Sequence, residues 1–380
     1  MMAARATFRR VFAVFLIAAS FAASLAQDAG GGANPSLDFA ARQQHVRHAA
    51  IQKLAPCIVR IDTIGGAQPV RREMNRMQQE RTAAGFRQAD GPTTGLTWSA
   101  DGYILTSSFN FVRDPVVITV TLADGRRFVA RLVARDRTAR LALLKIDAAD
   151  LPVPEWRDTA RLRSGQWSLA AGYGFGSEQP AVALGILSAL HRMSGQAVQT
   201  DARISPAHYG GPLFDIEGRV IGICVPMGLD RDEMTGIEWY DSGIGFAVHY
   251  EHLQRRVPRL MEGRDLHHGL LGIDLESREP VVGIVQKADR NGPPPSRDGL
   301  RIRGEPRGPA AQAGLQAGDV ITRIDDLPTP TITEFRRAVA RNVAGDTVTV
   351  TYRRDETTTS VTLRLASAED FVAAPTTQPK

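Results

Sequence analysis

The chain has 380 residues, 43% of them apolar, with 35 Gly and 22 Pro. That is enough for two or three domains with real cores and excludes a collagen-like or wholly disordered chain. Forty-six basic against 41 acidic residues give +5; without Arg5, Arg9 and Arg10 of the first segment the balance falls to about +2, and no clustered basic stripe marks a nucleic-acid partner.

Arg5 to Arg10 precede the apolar run VFAVFLIAASFAASLA, and Ser24 and Ala26 supply small residues before Gln27. This is the pattern of a signal peptide over 1–26, implying export to a periplasmic or extracellular compartment. The run is shorter than the ~20 apolar residues of a spanning helix, an uncleaved anchor being the alternative, and no membrane span is expected after cleavage. Residues 27–36 read as a flexible leader. From Leu37 to Leu54 the apolar residues Phe39, Ala40, Val46, Ala50, Ile51 and Leu54 recur at helical spacing until Pro56 stops them. CIVRIDTI then reads as a strand, and Gly65 to Thr94 as a long loop.

From Gly95 to Cys224 short strands alternate with tight turns. Ile118, Val120 and Leu122 alternate with threonines, Asp124-Gly125 turns the chain, and Asp101-Gly102 and Glu217-Gly218 punctuate two more strand pairs. With LALLKI, WSLAAGY, ALGILSAL, VIGICV and GIGFAV, the series predicts an all-β barrel or sandwich. A helix over Glu251 to Met261, broken or kinked at Pro258, leads to an α+β unit. That unit comprises strand-like GLLGIDL and VVGIVQK, the helix PAAQAG, the strand DVITRID, the helix TITEFRRAVARN and the strand pair TVTVTYRR and SVTLRL. A loose tail follows from Ser367.

Cys57 and Cys224 lie in apolar strand-like runs. An exported protein could join them, but two isolated buried thiols fit better, since free Cys packs as a small hydrophobe. The pairs His45/His48, His249/His252 and His267/His268 lack the neighbouring Cys or carboxylates of a metal site, so no metal or cofactor is expected. Gly172 to Gly176 lacks the following helix of a nucleotide-binding loop.

The ordered segments SADGYILTSS, VTLADGRRFVARLVARD, LALLKID, SGQWSLAAGYGFG, LGILSAL, QTDARISPAHYGGPLFDIEGRVIGI and GIGFAV resemble the HtrA/Deg family of trypsin-like serine proteases. GLLGI, GPAAQAGLQAGDVITRIDDLP and the helix from Ile332 to Asn342 resemble the PDZ domain that follows in that family. The resemblance implies a mainly β fold: a trypsin-like double β-barrel over 55–262 and an α+β PDZ domain over 266–366. They would be preceded by the signal peptide 1–26 and a leader with helix over 27–54, and followed by the tail 367–380.

A serine hydroxyl becomes a nucleophile only when an imidazole takes its proton, and a carboxylate must hold that imidazole in the right tautomer. By the resemblance, the position of the family's histidine is taken by Phe109, that of its aspartate by Arg140 and that of its serine by Tyr209. The oxyanion-hole glycine is replaced by Ala207. No histidine lies between His48 and His191 to rescue the assignment. Losing one member already costs about a million-fold in a related mechanism, roughly 8 kcal/mol. The expectation is therefore a chain that is not an enzyme, kept as a peptide-binding scaffold, chaperone or regulatory subunit, with the Phe109 and Tyr209 rings meeting in the crevice. The alternative is a serine endopeptidase or other hydrolase using groups around Ser205, His208 and Tyr209, with His208 otherwise a plain loop histidine.

Gly269, Leu270, Leu271, Gly272 and Ile273 match the PDZ loop whose N–H groups cradle a terminal carboxylate, the peptide adding as a strand beside Ile273 to Leu275. Phe335, Ala338 and Val339 would wall its side-chain pocket, or simply form the module's core. The implied partners are peptides or C-termini of envelope proteins, an active relative, or copies of the chain in a homotrimer joined through the N-terminal helix. Closure of the groove by the chain's own tail is a further alternative.

Overall fold

The computed structural model describes residues 35–65, 92–111, 114–174, 176–226, 242–276 and 299–373. The signal peptide, most of the Gly65 to Thr94 loop, the segment VVGIVQK and the last residues of the tail lie outside the described residues. Residues 1–49 form one unit and 50–380 another. The N-terminal helix runs Pro35–Leu54, two residues earlier than its apolar spacing suggests.

Twelve strands close into two six-stranded antiparallel barrels. The first contains β1 (Ile58–Ile64), β2 (Thr93–Thr97), β3 (Tyr103–Ser107), β4 (Val117–Thr121), β5 (Arg127–Asp136) and β6 (Leu141–Lys145), in the order β1-β2-β3-β6-β5-β4. The second contains β7 (Trp167–Gly172), β8 (Ala181–His191), β9 (Ala197–Thr200), β10 (Pro212–Phe214), β11 (Val220–Cys224) and β12 (Gly245–His249), in the order β10-β11-β12-β9-β8-β7. Period-two alternation sorts the side chains. On β6, Ala142 and Leu144 enter the first barrel with Val59, Ile61, Ile104 and Val120, whereas Leu141 and Leu143 join Ile58, Leu105, Leu169, Phe214 and Ile223 in a core shared by the two barrels. Gly95 sits mid-strand because a Cβ there would come within 2.8 Å of Ile104 and 2.9 Å of Ile61.

The helix Tyr250–Met261 buries Leu253, Arg256, Val257 and Leu260, one stripe at helical spacing. It runs unbroken through Pro258, which corrects the expected break. Proline removes only the bond to the Gln254 carbonyl, and burial of Val257 and Leu260 on either side holds the remaining turns in place.

The C-terminal module is one sheet, β13 (Asp274–Leu275), β14 (Leu300–Arg303), β15 (Val320–Ile324), β17 (Thr347–Arg354) and β18 (Thr357–Arg364) in that order, with β16 (Leu327–Pro328) on β15. Helices Gly308–Gln312 and Ile332–Ala340 cover its core of Leu271, Ile302, Ile321, Phe335, Val350 and Leu363. GLLGIDL is not the continuous strand its sequence suggests. Gly272 adopts φ +87, a left-handed turn that limits the ladder to Asp274–Leu275 and an isolated bridge between Leu270 and Ala366.

Candidate functional site

Three turns converge where the barrels meet. β3 runs into the turn Ser108–Phe111 bearing Phe109, the β5–β6 turn carries Arg140 in a left-handed conformation (φ 56), and the turn Pro206–His208 presents Tyr209 ahead of β10. Asp136 shapes the second turn by accepting the N–H groups of Thr138 (2.8 Å) and Ala139 (3.1 Å). The Arg140 carbonyl in turn accepts from the Ser108 N–H (2.9 Å) and the Ser107 hydroxyl (3.2 Å). Phe109 and Tyr209 are both buried and pack edge to face, centroids 5.4 Å apart at 83°. Arg140 is also buried. The three positions singled out by the resemblance thus come together, with the two rings meeting as expected.

A ring of small polar groups closes the space beside them. The Thr94 hydroxyl donates to the Ala207 carbonyl (2.7 Å) and accepts the Tyr173 N–H (2.6 Å). Asn110 Nδ2 donates to the Tyr209 carbonyl (3.1 Å) and to Thr106 Oγ1 (3.0 Å). Gly210, at φ +89, lies so near Thr106 Oγ1 and the Thr94 carbonyl that no Cβ fits. The amides that could stabilise an oxyanion are already engaged: His208 N–H to Ser205 O (2.8 Å), Tyr209 N–H to Pro206 O (3.2 Å), Gly210 N–H to Cys224 O (2.8 Å) and Gly211 N–H to His208 O (2.9 Å).

Within this turn Ser205 and His208 meet, because three residues of 3-10 helix bring positions i and i+3 to one side. Ser205 Oγ lies 3.0 Å from His208 Nδ1, and the Ser205 N–H donates to the same nitrogen (3.1 Å). Nδ1 is therefore the acceptor and the ring proton sits on Nε2, an assignment made from the hydrogen bonds. Nε2 is buried and has no partner among the described residues. Burial lowers the His208 pKa from 6.5 to about 4, so the ring is neutral at pH 7. From the sequence alone His208 also reads as a plain loop histidine; the signal for the pair is Ser-Pro three residues before His, which starts a capped helical turn.

In the C-terminal module, the Leu270 N–H donates to Ala366 O (2.8 Å), Leu271 O accepts from Ala310 N–H (2.9 Å) and Gly272 O accepts from Arg307 N–H (2.7 Å). No acceptor among the described residues takes the N–H of Leu271, Gly272 or Ile273. Gly269 packs on Leu365, where a Cβ would come within 2.6 Å. Leu271, Phe335 and Ala338 are buried in the module's core, while Ile273 and Val339 pack half-buried against it. Cys57 and Cys224 are free and buried. Among the described residues, no group of three or more His, Cys, Asp or Glu could hold a metal ion, and no helix is long and apolar enough to cross a membrane.

The two closed barrels and the sheet module define a trypsin-like peptidase domain, matched over residues 93–223, followed by a PDZ domain, matched over 269–365. The chain is 29% identical over 330 residues to a putative serine protease HhoB of Synechocystis, spanning 81% of this chain and 76% of that protein. It is 31% identical over 315 residues to a probable periplasmic DegP-like serine endoprotease of Chlamydia muridarum, spanning 80% of this chain and 59% of the relative. Among solved structures, the HtrA-type protease AlgW with tripeptide matches with a TM-score of 0.61 at 26% identity (84% of this chain, 96% of that one). The serine endoprotease from Yersinia pestis matches with a TM-score of 0.56 at 25% identity (84% and 97%). Together these findings support the HtrA/DegP family of trypsin-like proteases with a C-terminal PDZ domain. They also correct the expectation that the chain is not an enzyme: its relatives are named serine proteases and endoproteases, and the family points to a protease.

Proposed function

We propose that the chain is a periplasmic serine-type endopeptidase of HtrA architecture, slow in turnover, which captures polypeptide C-termini in its PDZ domain and hydrolyses peptide bonds with Ser205 and His208. The observation that carries the hydrolytic step is the 3.0 Å approach of Ser205 Oγ to His208 Nδ1, assigned as an acceptor from its hydrogen bonds, beside the positions of Phe109, Arg140 and Tyr209. Phe109 has no proton-accepting atom, and a guanidinium at Arg140 would repel an imidazolium. The family's own relay therefore has no counterpart at those positions.

In the proposed step the Ser205 hydroxyl passes its proton to His208 Nδ1 as Oγ bonds to the substrate carbonyl carbon. The proton then moves to the leaving nitrogen as the C–N bond breaks, and water repeats the sequence on the acyl-enzyme. With no carboxylate holding Nε2, turnover should fall about 10⁴-fold below a full triad. A base whose pKa lies well below 7 is weaker still. The 205–211 turn must also release two of its amides before an oxyanion can be held.

Capture is supported by the N–H groups of Leu271, Gly272 and Ile273, which find no acceptor among the described residues and offer a cradle for a carboxylate. The AlgW structures, described as holding a tripeptide and a decapeptide, favour peptides as the ligand class. The test is cleavage of unfolded casein by the purified chain after removal of residues 1–26. Slow cleavage lost in both Ser205→Ala and His208→Ala is expected; cleavage unchanged in either variant would assign the chemistry elsewhere.

A further inference from the structure

Ser367, where the tail begins, caps a short helix, Ala368–Ala373. Its Oγ accepts the Asp370 N–H (3.2 Å) and donates to Asp370 Oδ2 (2.9 Å), which also takes the Ser367 N–H (2.7 Å). The helix starts beside the Gly269–Ile273 loop because the preceding residue, Ala366, is paired with Leu270. The Leu270 N–H donates to Ala366 O (2.8 Å) and the Ala366 N–H to Leu270 O (3.0 Å).

This helix delivers the half-buried Phe371 onto two glycines. A Cβ on Gly272 would come within 2.9 Å of Phe371 Cζ, and one on Gly308 within 2.7 Å of Cε1 and Cζ on the same ring edge. Both glycines are left-handed, at φ +87 and +54, and the ring seats between them only because neither carries a side chain. The side from which the ring approaches decides what it does. A planar peptide places the amide hydrogen opposite the preceding carbonyl carbon, so at φ +87 the place of a Cβ lies roughly anti to the N–H about the N–Cα bond. Phe371 therefore presses on the face of Gly272 turned away from its amide hydrogen, alongside the Arg307 carbonyl, which a Cβ there would meet at 2.0 Å. The N–H itself has no acceptor among the described residues.

We propose that Phe371 is a positioning residue for peptide capture: it holds the Gly269–Ile273 loop from behind, so that the N–H groups of Leu271, Gly272 and Ile273 converge on a terminal carboxylate. The start of the tail is then a support for the groove and not a plug in it. The effect on affinity rests on the capture reading above, whereas the effect on the loop does not. Without the ring the loop keeps its bridge to Ala366 and the hydrogen bonds from the Arg307 and Ala310 N–H groups. The module should therefore stay folded while the loop samples more conformations, and binding loses its preorganisation.

The test compares wild type, Phe371→Ala, Phe371→Tyr and Ser367→Ala in the whole exported chain. A fluorescein-labelled decapeptide ending in valine is titrated by anisotropy, both as the free acid and as the C-terminal amide. Hydrogen exchange is followed by mass spectrometry over residues 307–310, where the Arg307 and Ala310 N–H groups donate to the loop carbonyls. Phe371→Ala should weaken binding of the free acid about tenfold, leave the amide nearly unchanged and speed exchange over 307–310. Phe371→Tyr should restore the wild-type preference for the free acid, and Ser367→Ala, which only loosens the helix, should fall between. Tighter binding by Phe371→Ala would mean that the tail plugs the groove, and an unchanged or equal loss for acid and amide would mean that the ring does not shape the cradle; either result overturns the proposal. If wild type binds neither peptide, the capture reading fails and exchange decides alone: faster exchange in Phe371→Ala supports a ring that holds the loop, and unchanged exchange overturns it.

Discussion

Replacing His208 by Asn removes a buried titrating ring while leaving an acceptor oxygen near the place of Nδ1, so the hydrogen bonds from the Ser205 N–H and hydroxyl can persist. In the folded chain burial holds the His208 pKa at about 4, against 6.5 for the exposed side chain. A depressed histidine pKa means that the unfolded chain binds more protons between these values, so the contribution to stability is complete above about pH 6.5 and is lost as pH falls through about 4. At about 1.4 kcal/mol per pH unit, the gap corresponds to roughly 3 kcal/mol. Urea unfolding of the wild type and His208→Asn, followed by tryptophan fluorescence between pH 7.5 and 4, isolates this contribution because the other buried histidines, His249 and His252, titrate in both proteins. Wild type should lose about 3 kcal/mol more than the variant over that window. Parallel stability curves would refute the reasoning, since they would mean that His208 is hydrated or already paired in the folded state.

Phe109→Ala should cost about 3–5 kcal/mol, because the ring is buried against Tyr209 and its removal leaves a cavity at the barrel crevice; a small shift in the urea midpoint would show the ring is not packed there. Gly272→Val should weaken binding of C-terminal peptides at least tenfold by fluorescence anisotropy. The reason is that φ +87 and the closeness of the Arg307 carbonyl and Phe371 leave no room for a side chain; unchanged affinity would move the peptide elsewhere. Burial pushes the Cys57 thiol up to about 11 and that of Cys224 higher still, so neither should react with a thiol reagent at pH 8 until the chain unfolds. Rapid labelling of the folded protein would contradict their placement.

Much of the fold was legible because short strands with DG and EG turns leave few ways to bury alternating residues. Val120, Ala142 and Leu144 face one core and Leu141 and Leu143 another, as period-two patterning requires. The resemblance to a trypsin-like domain placed Phe109, Arg140 and Tyr209 in three separate loops, and the chain does bring those loops together. Two local readings failed where tertiary packing outweighed a local signal. Pro258 stays inside a helix anchored by Val257 and Leu260, and Gly272 turns a seemingly strand-like run into a loop.

The Ser205–His208 contact was hidden for a different reason. It depends on a three-residue turn whose geometry follows from capping rather than from periodicity. Phe109, Arg140 and Tyr209 speak against catalysis by side-chain chemistry alone, whereas the relatives are named serine proteases and endoproteases.

Active-site labelling tests the hydrolytic account most directly. The purified chain, incubated with a fluorophosphonate and digested for mass spectrometry, should carry the adduct on Ser205, slowly, and lose it in His208→Ala. Modification of any other hydroxyl, or labelling of Ser205 that proceeds equally well without the His208 ring, would contradict a serine activated by that imidazole.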